Sequence, residues 1–305
     1  MKITFLGTGA GIPSKERNVT AILLDLIQEI NHLWLFDCGE ATQHQILHTS
    51  IKPRKINKIF ITHLHGDHIF GLPGVLSSRS FQGGKDPLTV YGPSGIKQYI
   101  ETSLHISNTH LSYPLHYVEL VDEGKIFEDD SFIVDAVLLD HNIKSYGYRI
   151  KEKEKIGELN VQKLEELGIE PGPIYRDIKS NEKTVLKDGR IIYRKDVIGK
   201  PKQGKIISIF GDTRYVPHHA TFIQNSDLLV HEATFSADNQ SLAKNYFHST
   251  TEQTAKLAKD SNARTLILTH ISSRYQNGDL DRLLTEARAI FPNTMLAHDF
   301  FTFEI

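Results

Sequence analysis

The sequence predicts an α/β protein in which two mixed β-sheets face each other between outer helices, an αββα sandwich. Short apolar runs typical of buried strands recur along the chain, and each ends at or near a residue that can bind a metal. These runs are 59–61 near His63, 136–139 near His141, 206–210 at Asp212, 228–230 at His231 and 266–268 at His270. Helical patterns follow at 250–259 and 280–290. Because sites in layered α/β folds gather at strand ends, these distant residues can meet at one edge.

The first part of the chain predicts mainly strands. Residues 2–6 predict a strand that opens into a glycine turn at 7–11, and the glycine spacing there is not that of a dinucleotide-binding motif. Residues 21–26 and 33–36 predict two further strands around a polar turn, and residues 40–48 predict a short helix.

Composition indicates a globular protein of ordinary type. The chain has 305 residues, of which 39% are hydrophobic and 24% charged, so it can form one large core or two smaller ones. A single cysteine, Cys38, excludes an intrachain disulfide and a multi-thiolate zinc site, so a metal has to be held by His and carboxylate side chains. No stretch resembles a signal peptide or a membrane span. We therefore expect a cytoplasmic protein with no membrane partner.

A dense group of imidazoles follows the apolar run at 59–61. Residues 62–68 read Thr-His-Leu-His-Gly-Asp-His, three imidazoles and one carboxylate in six residues. These ligands suit zinc and similar cations, and a turn containing glycine can direct them at more than one metal. The competing interpretation is a polar loop that is rich in His by accident, but such a loop has no reason to crowd groups that are costly to desolvate. The segment therefore predicts half of a two-metal site.

This group, together with the isolated His141, Asp212 and His270 at later strand ends, resembles the metallo-β-lactamase superfamily over most of the chain. Within that superfamily the sequence resembles the ribonuclease Z family, which processes the 3′ ends of tRNA. The supporting stretches are 5–9, 13–18, 36–40, 211–214, 231–234 and 248–250. The group at 63–68 is shared with thioesterases and lactamases and does not distinguish these families. The loop at 13–18 and the His248 motif at 248–250 are the features that favour the ribonuclease Z family.

The resemblance implies two zinc ions per chain, and a count of the available ligands supports the same assignment. One zinc would be held by His63, His65 and His141, the other by Asp67, His68 and His270, and Asp212 would bridge them. Two cations that share a carboxylate also share a water, whose pKa falls far enough to supply hydroxide as the nucleophile. Mn²⁺ or Fe²⁺ suits the same ligands, so the sequence does not fix the metal.

The resemblance also assigns catalytic roles to Asp67 and His248. Asp67 would accept a proton from the nucleophile and orient it, or it would be a ligand without a proton role, since a metal-bound carboxylate is a weak base. His248 would contact the scissile phosphate and stabilise its charge or protonate the leaving ribose 3′-oxygen. The alternative for His248 is a helix cap, but Ser249 or Thr250 fits that role better.

Three further residues are predicted to support the ligands rather than to bind zinc, namely Asp37, His231 and Glu232. For the last two, the expected contact joins the Glu232 carboxylate to the His231 ring, which would steady a ligand. The loop at 13–18 is predicted to bind substrate: Lys15 and Arg17 can hold phosphate, and Asn18 can recognise a base edge or cap a turn.

A basic segment occupies the middle of the chain. Residues 144–205 contain 16 Lys and Arg against 10 Asp and Glu, a balance of +6, while the rest of the chain has a balance of −8. The charge balance alone is equally compatible with a segment that binds a polyanion and with a solvated segment that protrudes from the surface. Gly, Pro and alternating charges at 151–205 are typical of a protruding insertion. The resemblance implies that about 151–205 is a flexible tRNA-binding arm inserted in a single domain spanning 1–305, and the Gly-x-x-Pro-Gly-Pro run at 168–173 matches such arms.

Three functions are compatible with the sequence. The favoured one is a zinc-dependent endoribonuclease that removes the 3′ trailer from precursor tRNA and leaves a 3′-hydroxyl at the discriminator nucleotide. The second is a small-substrate phosphodiesterase or thioesterase on the same fold, and the third is a non-catalytic RNA-binding protein. The resemblance further implies a homodimer. The preferred RNA and the effect of a CCA end stay open.

Overall fold

The computed structural model describes residues 1–305, apart from the side chain of residue 277. The strands, in chain order, are β1 (Lys2–Gly7), β2 (Gly9–Ala10), β3 (Ala21–Leu26), β4 (His32–Phe36), β5 (Ile56–Phe60), β6 (Leu88–Pro93), β7 (Leu115–Leu120), β8 (Gly124–Glu128), β9 (Phe132–Leu139), β10 (Ser145–Glu152), β11 (Lys183–Val185), β12 (Ile191–Tyr193), β13 (Ile206–Phe210), β14 (Leu228–Glu232), β15 (Leu266–Thr269), β16 (Ile271–Ser272), β17 (Thr294–Leu296) and β18 (Thr302–Glu304).

The helices are α1 (Ile27–Ile30), α2 (Thr42–Leu47), α3 (Gly66–Ile69), α4 (Leu72–Phe81), α5 (Ile96–Ile106), α6 (Val161–Glu166), α7 (Pro173–Ser180), α8 (Arg194–Val197), α9 (His219–Phe222), α10 (Gln240–Tyr246), α11 (Thr251–Asp260) and α12 (Asn277–Ile290). Two 3₁₀ turns lie at Pro53–Lys55 and Ala237–Asn239. None of the helices described is both long enough and apolar enough to cross a membrane.

Two seven-stranded mixed sheets form the larger part of the fold. The first has the order β18-β1-β3-β4-β5-β6-β7 and the second the order β17-β15-β14-β13-β10-β9-β8. Each sheet joins a parallel part to an antiparallel part, and the parallel strands are β4 to β7 in the first sheet and β13, β14, β15 and β17 in the second. Antiparallel neighbours need only short turns, whereas parallel ones need crossovers, which here carry most of the helices.

Side chains that alternate along the strands separate an inner core from two outer ones. In β4, Trp34 and Phe36 face the other sheet, while Leu33 and Leu35 face α2 and α4 on the outside. In β15, Ile267 belongs to the inner core and its neighbours belong to the outer core beneath α11 and α12. Strands buried on both faces have no polar side to present, which is why they appear in the sequence as continuous apolar runs. The predicted αββα sandwich is confirmed.

Local differences from the sequence prediction are small. The expected polar turn between β3 and β4 contains the short helix α1, and β14 continues through His231 to Glu232 instead of stopping before them. The helix predicted at 280–290 begins one turn earlier, at the bounds of α12.

The chain divides into two compact units, one comprising Met1–Lys151 with Ile206–Ile305 and the other comprising Glu152–Lys205. The smaller unit consists of α6, α7, α8 and the antiparallel pair β11–β12. Its core is a single cluster of buried side chains, Leu164, Ile169, Ile178, Ile192 and Val197. This unit therefore has a hydrophobic core of its own, although a small one.

Candidate metal centre

The loop after β5 is held in place by Asp37, which follows β4. Its Oδ1 accepts a hydrogen bond from the Thr62 amide at 2.7 Å, and its Oδ2 accepts one from the Thr62 hydroxyl at 2.8 Å. Gly39 passes so close to the same loop that a Cβ there would lie 2.3 Å from the Asp67 carbonyl oxygen, so only glycine fits. The His-rich loop is thus held by the end of the neighbouring strand.

Three imidazoles meet on one side of this loop. His63 Nε2 lies 3.0 Å from His65 Nδ1, and His141 Nε2, which arrives from the end of β9, lies 3.3 Å from the same His65 nitrogen. Ring nitrogens this close repel one another if all are protonated, whereas their lone pairs can point at one cation. The three predicted ligands of one metal are therefore brought together.

The second predicted group, Asp67, His68 and His270, meets beside the first. Asp67 Oδ2 lies 3.5 Å from His68 Nε2 and 3.4 Å from His270 Nε2. Asp67 and His68 lie in α3, and His270 follows β15 with a left-handed backbone (φ 55°), which residues other than glycine rarely adopt. Such strain persists only where the surrounding structure imposes it, and it is common at functional sites.

Asp212, at the end of β13, lies between the two groups. Its Oδ2 is 3.7 Å from His63 Nε2 on one side, and 3.6 Å from His68 Nε2 and 3.3 Å from His270 Nε2 on the other. Burial alone would raise the pKa of Asp212, but the surrounding imidazoles hold that pKa well below its usual range. The carboxylate therefore stays ionised at the position that a bridging ligand needs.

The outward ring nitrogens of four predicted ligands have hydrogen-bond partners. His63 Nδ1 lies 3.0 Å from Thr62 Oγ1, and His270 Nδ1 lies 2.9 Å from Thr234 Oγ1. His68 Nδ1 lies 2.7 Å from Asp37 Oδ2, and His141 Nδ1 lies 2.9 Å from the Phe247 carbonyl oxygen. The two threonine hydroxyls donate to carboxylates, so they accept from the rings. Each ring thus carries its proton on Nδ1 and turns the Nε2 lone pair inward, the arrangement typical of metal-binding His.

The site fits a cation on two further observations. His68 Nε2 is buried and has no hydrogen-bond partner among the described residues, which is costly unless something else occupies it. Burial would lower the pKa of His68, yet the charges of Asp212, Asp37 and Asp67 raise it well above its usual range. The site therefore favours positive charge, and its His and Asp donors suit zinc or a similar ion.

His248 lies next to this group and is held by a buried carboxylate. Its Nδ1 is 2.9 Å from Glu232 Oε1, and Glu232 also accepts hydrogen bonds from the amides of Thr213 and Thr234. Burial opposes protonation of His248, but the charge and hydrogen bond of Glu232, with the charge of Asp212, raise its pKa to about 9. The cap of α11 is formed by Thr250, whose side chain accepts from the Gln253 amide, so His248 is not a capping residue.

One predicted contact differs in the structure. The Glu232 carboxylate pairs with His248, not with His231, and reaches His270 through the Thr234 hydroxyl. His231 Nδ1 instead contacts the Glu232 main-chain oxygen at 2.8 Å, and its ring packs on Phe210 in the core. Adjacent residues on a strand point to opposite faces, so His231 and the Glu232 carboxylate cannot share one side of the sheet.

The loop at 13–18 also differs in part from the prediction. Arg17 is buried, and its Nη1 donates to Thr8 Oγ1 and to the Ala297 carbonyl, so it anchors the loop and is not free to bind phosphate. The Asn18 side chain donates to the Glu40 carbonyl. Of the three predicted substrate contacts, Lys15 is the exposed one.

Several supporting residues were not identified from the sequence. The Gly11 amide donates to Asp67 Oδ2 at 2.8 Å, because the parallel pair β2–β16 brings this turn next to His270. Thr62 precedes the group at 63–68 and Thr234 ends the stretch 231–234, so their positions in the sequence indicate a supporting role only weakly. The Phe247 carbonyl that orients His141 has no sequence signal, since every residue has a carbonyl group.

Comparisons with known proteins identify the superfamily. A family model described as a β-lactamase superfamily domain matches residues 197–271, and one described as the anti-Pycsar protein Apyc1 matches residues 1–155. Fold and site together define a protein of the metallo-β-lactamase superfamily.

Relatives at higher identity narrow the class. The chain is 60% identical over 306 residues to a ribonuclease Z of Oceanobacillus iheyensis, with 100% of both chains covered, and 57% identical over 305 residues to one of Bacillus cereus, covering 100% of this chain and 99% of the relative. It also resembles the crystal structure of human tRNase Z, short form, with a TM-score of 0.72, 30% identity and coverage of 100% and 99%. The chain belongs to the ribonuclease Z family.

Proposed function

We propose that this protein is a metal-dependent endoribonuclease that removes the 3′ trailer from precursor tRNA, leaving a 3′-hydroxyl at the discriminator nucleotide. The observation that carries the proposal is Asp212 Oδ2 between the two ligand groups, 3.7 Å from His63 Nε2 and 3.3 Å from His270 Nε2. Its relatives at 57–60% identity over the whole chain are ribonucleases Z.

We assign two zinc ions to the site. One would be held by His63, His65 and His141 and the other by Asp67, His68 and His270, with Asp212 between them, and two of the three groups of possible ligands that lie close together support this division. The third group joins Asp212 and His270 to His248, whose Nδ1 is already held by Glu232. When bound, the two ions would supply a water of lowered pKa and neutralise charge on the phosphate.

The protein's own residues hold and move protons around that centre. Burial would raise the pKa of Asp67, but His68 and His270 hold it well below its usual range, and the Gly11 amide donates to the carboxylate. A carboxylate so stabilised is a poor proton acceptor, which favours an orienting role for Asp67.

His248 is suited to act as the acid. Glu232 occupies its Nδ1 and keeps the ring protonated near neutral pH, which leaves the Nε2 proton available to the phosphate or to the leaving 3′-oxygen. A cationic imidazole next to the scissile phosphate would also stabilise the charge that develops there.

Glu152–Lys205 is proposed as the arm that grips the tRNA body. It lies within the basic segment and exposes most of its Lys and Arg side chains, and such contacts position RNA without recognising its sequence. A homodimer in the cytoplasm completes the proposal, on the resemblance to the family.

The test is cleavage of a labelled precursor tRNA by the purified protein, with and without a chelator, followed by return of Zn²⁺, Mn²⁺ or Fe²⁺. We expect a product ending at the discriminator with a 3′-hydroxyl, loss of activity on chelation and recovery with metal. Cleavage of a small diester without cleavage of precursor tRNA would instead select the small-substrate phosphodiesterase. Tight RNA binding that survives metal removal, with no cleavage, would select the non-catalytic RNA-binding protein.

A further inference from the structure

A cavity with a mixed polar and apolar lining lies against His248. Its volume is about 350 Å³, within the ~300–1,000 Å³ range of ligand pockets. We call it the His248 cavity and define it by its lining residues Arg214, Tyr215, Gln240, Ser241, Lys244, His248 and Gln253. No Asp or Glu among the described residues lines it. Asp140 and Glu232 lie outside the lining and pair with Arg214 and His248, so the unpaired positive charge of the cavity is that of Lys244.

The Arg214 side chain is fixed at the wall of this cavity. Its guanidinium lies 3.6 Å above the centre of the Phe247 ring, its Nε donates to the Lys244 carbonyl at 2.7 Å, and its Nη1 is 3.6 Å from Asp140 Oδ2. A guanidinium held flat in this way presents its remaining N–H groups in a fixed direction, which suits a phosphate.

Lys244 and Gln253 complete the polar lining. Lys244 is exposed, and none of the described carboxylates lies within ion-pair distance of its amine. The Gln253 side-chain oxygen accepts from the Thr250 amide, which leaves its NH₂ group free to donate. The cavity thus combines two cations with a neutral amide and the Ser241 hydroxyl, a set suited to a nucleotide.

The position of His248 indicates which nucleotide this is. The 3′-oxygen that His248 would protonate belongs to the nucleotide on the 5′ side of the cut. A cavity that shares His248 as a wall is therefore contiguous with that nucleotide, whereas the loop carrying Lys15 lies near Ile271 and Tyr275, at a different cavity.

We propose that the His248 cavity binds the discriminator nucleotide, with Lys244 and Arg214 contacting the phosphodiester immediately on its 5′ side. This inference rests on the proposed function, because it takes precursor tRNA as the substrate. Lys244 and Arg214 are thereby specificity-determining residues that place the nucleotide whose 3′-oxygen leaves.

The first experiment measures product inhibition for the full-length, metal-loaded protein and for Lys244→Ala. The two inhibitors are tRNA ending at the discriminator with a 3′-hydroxyl, and the 5′-phosphorylated trailer oligonucleotide. We expect Lys244→Ala to weaken inhibition by the tRNA about tenfold, as for loss of a charged hydrogen bond, and to leave inhibition by the trailer within twofold. The matched control is Lys259→Ala, an exposed lysine of α11 outside the cavity, which should change neither value.

The second experiment locates the contact on the RNA. A precursor whose phosphodiester 5′ of the discriminator is a neutral methylphosphonate should be cleaved about tenfold less efficiently than the normal precursor by the wild-type protein. In Lys244→Ala the same replacement should cost less, about two- to threefold, because only the contact with Arg214 is left to lose. Arg214 is not substituted, because its contacts with Phe247 and Asp140 would also disturb His141.

Different results overturn different statements. Equal losses with tRNA and trailer, or a methylphosphonate effect as large in Lys244→Ala as in the wild-type protein, would remove the assignment of the cavity. Precursor cleavage by the wild-type protein would then still support the proposed function. A wild-type protein that neither cleaves precursor tRNA nor is inhibited by its product would remove both.

Discussion

The metal centre and the Glu152–Lys205 unit are built on opposite principles. The candidate centre takes its predicted ligands from the ends of four strands far apart in the chain, buries four of the seven, and holds their outer ring nitrogens with hydrogen bonds. The smaller unit is built from neighbouring segments around five buried apolar side chains and carries charges on its surface. Chemistry at a phosphorus atom needs distances fixed by a large core, whereas contact with a phosphate backbone needs charge and tolerates a small core.

The largest expected effect comes from removing the residue on which both ligand groups converge. Asp212→Ala should lower precursor cleavage about a thousandfold or more, since it removes a shared ligand and its charge together. Elemental analysis should give about two metals per chain in the wild-type protein and fewer in the variant. Fully active protein with one metal per chain would contradict the bridging role.

His248→Ala separates chemistry from metal binding within the centre. It should retain both metals and bind precursor tRNA nearly as the wild type does, yet lose on the order of a hundredfold in kcat. Metal content, binding and single-turnover rate are measured on the same preparation. If metal is lost instead, His248 is a ligand.

Asp37→Asn tests whether hydrogen bonds behind the ligands matter. The amide keeps the shape but removes the negative charge that pairs with His68 Nδ1, so metal affinity should fall about 10- to 100-fold. Competition with a chelator measures the affinity. An unchanged affinity would mean that the loop is fixed by packing alone.

Replacing residues 152–205 with a short Gly/Ser linker tests whether the smaller unit binds precursor tRNA. The Michaelis constant for precursor tRNA should rise about tenfold or more, and the dependence of binding on salt should flatten, because fewer phosphates are neutralised. Hydrolysis of bis(p-nitrophenyl) phosphate should persist, since that substrate has no RNA body for the segment to bind. Loss of both activities in a folded, metal-loaded protein would instead assign the segment a role in shaping the active site.

The smallest effect concerns stability. Ile178→Ala in the small core and Ile209→Ala in the inner core each remove a buried side chain, at a cost of about 2–5 kcal/mol. Hydrogen exchange should show increased opening confined to Glu152–Lys205 in the first variant and a lowered melting temperature of the larger unit in the second. Identical global destabilisation by both would mean that the two units unfold together.

Much of this protein was predictable from local signals. The group at 63–68 is contiguous, and His141, Asp212 and His270 each end an apolar run, so the seven predicted ligands could be named before the structure. The same runs, with the helical periods at 250–259 and 280–290, indicated the layers. Burial forces apolar periodicity, and metal binding requires particular donor types, so both leave a trace in the sequence.

Only the tertiary structure decided which side chains support the ligands. Glu232 holds His248 rather than His231, Arg17 is used to anchor its loop, and the Phe247 carbonyl orients His141. These contacts join residues from different elements, and a hydrogen bond depends on distances of a few tenths of an ångström that no residue type specifies. The sequence by itself indicated the layers and the predicted ligands, while the folded chain alone determined the hydrogen-bonding partners of those residues, because the partners exist only once the strands are packed together.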